Sequence, residues 1–145
     1  MWTARLLRAE RVADVRRRVM EQAESDVAQA RRVVDLRQRE ALEAASVLER
    51  QLRQFGATVF ESSSGLADAN GFVRSLAVVA ERARGRVAEA QAEAELRQQA
   101  VLEARVELKK IEAWQESLRA SAREVQDRLE RLATDDHAAR SHRKR

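Results

Sequence analysis

Residues 73–132 read VRSLAVVAERARGRVAEAQAEAELRQQAVLEARVELKKIEAWQESLRASAREVQDRLERL. Alternating steps of three and four run through Val73, Leu76, Ala80, Ala83, Val87, Ala90, Ala94, Arg97, Val101, Ala104, Leu108, Ile111, Gln115, Leu118, Ala122, Val125, Leu129 and Leu132. Arg97 and Gln115 are the polar members of these 18 positions. A stripe that repeats every 3.5 residues keeps one face of a helix against a partner helix, so this stretch predicts a coiled coil.

Upstream, a second stripe supplies the partner: Val12, Val15, Val19, Ala23, Val27, Ala30, Val34, Ala41, Ala45, Leu48, Leu52 and Phe55. Its spacing slips between Val19 and Val27, where two successive steps of four would locally unwind a supercoil. No Gly or Pro precedes Gly56, so nothing local stops the first helix earlier. Gly56 to Gly71, GATVFESSSGLADANG, then gathers three of the four glycines, three serines in a row and an Asn-Gly pair. This is the breaker cluster of the chain, with room for a short helical turn around Leu66 to Asn70.

The expectation is an all-α fold: two long helices forming an antiparallel coiled-coil hairpin with its hinge at about 56–71. Its parts are helix 1 over about 3–55, helix 2 over about 72–134 and a basic tail over 135–145, all in one elongated unit. At 1.5 Å per residue the arms would span roughly 80 and 90 Å. Setting Phe55 opposite Phe72 aligns Leu48 with Ala80, Ala41 with Val87 and Val27 with Val101, and lets the second arm outrun the first.

Composition agrees with this. The 145 residues include 27 Ala and 25 Arg, no Pro and no Cys, while Val, Ile, Leu, Met, Phe and Trp together number 37, too few for a globular core of that length. Without cysteine there is no disulfide, thiolate nucleophile or cysteine-based metal site. The chain has no apolar run of signal-peptide or membrane-span length, which predicts a cytoplasmic protein. His137 and His142 stand five apart rather than at the i, i+4 spacing of a helical metal pair. Ser62, Ser63 and Ser64 have no accompanying base, and the carboxylates lie among arginines at helical spacings. A two-helix hairpin also lacks a cavity that would exclude water. The sequence therefore predicts no enzyme, no cofactor, no metal and no small-molecule substrate.

Charge placement is more informative than the net +4. Residues 1–18 carry Arg5, Arg8, Arg11, Arg16, Arg17 and Arg18 against Glu10 and Asp14, a balance of +4. Residues 137–145 add Arg140, Arg143, Lys144 and Arg145, another +4, and everything between sums to −4. A hairpin brings both basic segments to one end, which reads either as a solubilising terminus or as a plug for an acidic socket. Phe55, Phe60 and Phe72 collect at the hinge, where they cap the coiled coil or offer a second contact site. Trp114 lies one position off the stripe and reads as edge packing or as a partner contact.

The opening RLLRAERVADVRRRVMEQAESDVAQAR (Arg5 to Arg31), the hinge-side FVRSLAVVAERA (Phe72 to Ala83) and above all LKKIEAWQESLR (Leu108 to Arg119), followed by a basic tail, resemble the FliJ/YscO family. These are the stalk proteins of flagellar and injectisome type III export ATPases. The resemblance implies a non-enzymatic component similar to the central stalk of rotary ATPases. Its paired terminal helices would enter the export ATPase hexamer and promote its assembly and activity, and a hinge-proximal surface would contact the export gate protein. It further implies escort of secretion chaperones, and a location peripheral to the inner-membrane export apparatus.

On this reading Arg5, Arg8, Arg11, Arg140, Arg143, Lys144 and Arg145 are the ATPase-facing residues, and Phe55, Phe60, Phe72, Leu76 and Trp114 are gate or partner contacts. Phe72 and Leu76 fall on the family's aromatic-plus-leucine spacing, and Phe55 stands in for the tyrosines that flagellar members often place before the hinge. Two other classes stay open. A generic coiled-coil scaffold or peripheral-stalk subunit would form a parallel dimer through Val101 to Leu132. A basic helical nucleic-acid binder would need a continuous basic face and stacking aromatics, and the sequence supplies neither.

Overall fold

A computed structural model of the chain describes residues 2–144. It contains two helices, α1 (Trp2–Ala57) and α2 (Ser63–Arg143), of 56 and 81 residues. They pack against each other as an antiparallel helical hairpin, with no strand among the described residues. The packing divides into two units. One holds 1–22 with 102–145, and the other holds 23–101 with the connection between the helices.

The connection is shorter than the expected hinge over 56–71. It is the segment 58–62, and Gly56, Gly65, Asn70 and Gly71 all lie inside helices. Local hydrogen bonding accounts for this correction. Ser62 caps α2: the Gly65 backbone N–H donates to Ser62 Oγ at 3.1 Å, and the Leu66 N–H donates to the Ser62 carbonyl at 3.2 Å. A serine cap is worth about 1 kcal/mol, enough to offset one glycine in the turns that follow. None of the described glycines takes a positive φ, so here they are weak helix residues rather than turn formers. At the end of α1 the Thr58 hydroxyl donates to the Gln54 carbonyl at 2.6 Å and ties off the last turn.

The expected tail over 135–145 is helical as far as Arg143. Ala133, Ala138 and Ala139 favour helix, and Arg140, His142 and Arg143 in the last turn meet the negative end of the helix dipole.

The buried stripe of α1 also differs from the expected one. Ala9 and Ala13 are fully buried, whereas Val15 and Val19 are 56% and 48% exposed. Leu6, Ala9, Ala13, Met20, Ala23, Val27, Ala30, Val34, Ala41, Ala44, Leu48, Gln51 and Phe55 are all buried or half-buried. They keep a regular 3,4 spacing with Arg16 and Arg37 filling the remaining steps, so the supposed slip disappears. Alanine lets two backbones approach closely, and the larger valines next to it fall outside the contact. In α2 the stripe follows the expected line through Leu118, with one shift. Gln98 is half-buried where Arg97 was expected, and Arg97 turns outward to donate to Glu93 at 2.8 Å.

Within the unit 23–101, two polar contacts fix the pairing of the helices. Arg31 donates to Gln98 at 3.2 Å, and Arg86 lies 4.0 Å from Glu40. Both agree with the alignment of Ala41 with Val87, which line one groove together. Within the other unit the stripe of α2 continues past its partner. Every described residue from Arg123 to Lys144 is exposed, including Val125, Leu129 and Leu132.

Candidate partner-binding surfaces

The unit formed by 1–22 and 102–145 carries both basic segments. Arg5, Arg8 and Arg11 are exposed on α1, Arg140 and Arg143 are exposed on α2, and Lys144 is exposed just beyond it; Arg145 lies outside the described residues. The Arg5 guanidinium sits 5.8 Å from the centre of the Trp2 ring, a cation–π distance that steadies its long side chain. Asp14 engages Arg17 at 2.9 Å, and no carboxylate among the described residues pairs with Arg5, Arg8 or Arg11. Such exposed pairs are worth little individually. Their role here is to determine which cations remain available to a partner.

In the same unit Glu107 accepts from Lys110 Nζ at 3.0 Å. That hydrogen bond, the Lys110 charge and, more weakly, the Arg16 charge hold the Glu107 carboxyl below its ordinary value. Gln115 is 4% exposed, and no buried side-chain polar atom among the described residues lacks a hydrogen-bond partner. Its neighbour Trp114 is 40% exposed, and Val15 and Val19, expected in the buried stripe, are 56% and 48% exposed.

The unit 23–101 carries the aromatic residues near the connection. The Phe55 and Phe60 rings lie 5.3 Å apart at 48°, and with Phe72, Ala69 and Val73 they wall a cavity of about 140 Å³. The expected cluster is therefore assembled. Phe55 and Phe60 are half-buried against each other, Phe72 is 53% exposed, and Leu76 lies half-buried one turn beyond it. Val59, at 89% exposure, adds an uncovered apolar side chain to the connection.

Sequence reasoning missed a second feature of this unit. Ala41, Leu42, Ala45 and Val87, rimmed by Gln38 and Arg84, form an open groove of about 440 Å³ in which Leu42 is 71% exposed. The signal was a leucine one step off the stripe between two alanines too small to cover it.

No group of His, Cys, Asp or Glu among the described residues is placed to hold a metal, and no described helix is long and apolar enough to cross a membrane. What the fold offers is surface: basic and apolar patches displayed on two paired helices. This defines an all-α helical-hairpin protein. The family model of the flagellar FliJ protein matches residues 6–145, and the chain belongs to the FliJ family. Membership makes it a component of the flagellar, type III protein export apparatus. No curated protein and no solved structure matches the chain.

Proposed function

We propose that this chain is a non-enzymatic, central-stalk-like component of the export apparatus that binds the export ATPase hexamer and links it to the export gate. Family membership over nearly the whole chain supports the general role. The gathering of both basic segments in one unit supports the ATPase contact, because it concentrates positive charge that can steer docking into an acidic socket. In this reading Arg5, Arg8, Arg11, Arg140, Arg143, Lys144 and Arg145 face the ATPase and favour its assembled, active form. Phe55, Phe60, Phe72 and Leu76 face the gate protein, with Phe72 and Val59 supplying exposed apolar contact area. Secretion chaperones are further partners, and the protein works peripherally to the inner membrane.

The test is ATP hydrolysis by the purified export ATPase of the same organism, with and without this chain. The expected result is stimulation that is lost when Arg5, Arg8 and Arg11 are together replaced by Glu and kept when Phe72 and Leu76 are replaced by Ala. The Phe72→Ala, Leu76→Ala double variant is instead expected to lose capture of the gate protein's cytoplasmic domain. Absence of stimulation and of ATPase binding by the unaltered chain overturns the proposal.

A further inference from the structure

We propose that one side of the unit formed by 1–22 and 102–145 is a docking face for an acidic amphipathic helix of a partner protein, centred on Val15, Val19 and Trp114. The argument starts from which edges of the two helices are closed. On α1, Val12 and Val19 each precede an inward residue, Ala13 and Met20; on α2, Glu107, Trp114 and Ser121 each precede one, Leu108, Gln115 and Ala122. In an antiparallel pair these like edges face each other along one side. Burial agrees, because Val12, Glu107 and Ser121 are half-buried, while Glu10 and Arg17 on the opposite edge of α1 and Arg105, Glu112 and Arg119 on that of α2 are exposed. The packing of 1–22 with 102–145 in one unit brings the two helices together here.

Val15 lies one step outward from this edge at 56% exposure, beside Val19 at 48% and Trp114 at 40%. The result is an apolar strip shared by two helices, the geometry into which a third helix packs. Trp and Val at such a strip supply burial, and Trp is favoured where binding energy concentrates.

Charge selects the occupant. Arg5 and Arg8 lie toward one end of the strip, with Arg11 and Arg18 on its outer border, all exposed. The nearest carboxylate on α2, Glu107, is already engaged by Lys110. A helix with a leucine stripe flanked by glutamates would match both features, whereas a basic helix would be repelled. This face is lateral to the seam, and the proposal stands whether or not the ATPase is the protein that uses it.

The experiment uses the full chain carrying Trp2→Phe, so that Trp114 is the sole indole. The probe is a synthetic acidic amphipathic peptide with leucines at 3,4 spacing and flanking glutamates. The expected result is a saturable shift of Trp114 emission to shorter wavelength that weakens as salt rises from about 50 to about 300 mM. Val15→Asp and Val19→Asp, at exposed positions that leave the fold intact by circular dichroism, are each expected to weaken binding about tenfold or more. Leu7→Asp, also exposed but off this face, should leave it unchanged. Equal binding of a scrambled peptide, or affinity unaltered in both valine variants, overturns the proposal. So does an emission shift produced only by phosphatidylglycerol vesicles or by raising the protein concentration, which would assign the strip to a membrane or to a second copy.

Discussion

Exchanging the roles of alanine and valine in α1 tests the packing directly. Val15 is 56% exposed, so replacing it with Ala removes less than half of a burial worth about 1.5 kcal/mol, roughly 0.7. Alanine recovers about 0.5 kcal/mol through its higher helix propensity, and the net change should lie within about 0.5 kcal/mol of zero. Ala13 is fully buried, and a leucine there forces three further carbons into a closed contact, at a cost of about 1–3 kcal/mol. Were Val15 in the seam instead, its truncation would cost at least about 1.6 kcal/mol for two methyl groups, with a cavity added.

Urea unfolding followed by ellipticity at 222 nm separates the two outcomes. With a slope of about 2 kcal/mol per molar, Ala13→Leu should lower the midpoint by roughly 1 M while Val15→Ala leaves it within about 0.25 M. A Val15→Ala midpoint that falls like that of a core truncation, with Ala13→Leu neutral, would refute the small-residue seam and restore the register through Val12, Val15 and Val19.

Gly85→Ala should stabilise the hairpin by about 0.8–1 kcal/mol in the same assay, because a Cβ there meets nothing within 4 Å and the residue is helical. Ser62→Ala should cost about 1 kcal/mol by removing the cap on α2, with faster amide exchange at Gly65 as its local signature. Glu107 titrates below its ordinary 4.5, so its interaction with Lys110 contributes stability above that pH and loses it as pH falls through the lowered value. Glu107→Gln should therefore flatten the loss of stability on acidification below pH 4.5 and leave its trend at higher pH unchanged, as read from urea midpoints across a pH series.

The sequence made α2 legible because its stripe holds large apolar residues at regular steps, and Val101, Leu108 and Leu118 are buried as their spacing requires. The pairing of Ala41 with Val87 followed from aligning the phenylalanines. α1 misled because hydrophobicity favours Val15 and Val19 over Ala9 and Ala13, while close helix packing favours the smaller side chain. The connection misled for a related reason. Glycine and asparagine signal a break only when they are considered apart from their surroundings, and the Ser62 cap, together with Leu66, Ala67 and Ala69, carries the helix through them. Of the candidate surfaces, the basic segments and the phenylalanine cluster could be read from position in the chain. The Leu42 groove and the Val15–Trp114 strip could not, because each is defined by which edge of a helix pair is left open.

The alanine seam has a consequence for how such a protein works. Ala9, Ala13, Ala80, Ala83 and Ala90 are among its most buried residues, and each contributes little apolar area, so the hairpin draws its stability from many small contacts along its length. The larger apolar side chains that could have filled a deeper core remain outside: Leu42 and Val59 in one unit, Val15, Val19, Leu129 and Leu132 in the other. A helix pair in water gains nothing by leaving them exposed when it is alone. They gain burial only when another surface covers them. Replacing exposed leucines and valines with polar residues should therefore cost the isolated chain almost nothing and cost its complexes a great deal, the opposite of what the same changes do at Val101 or Leu108.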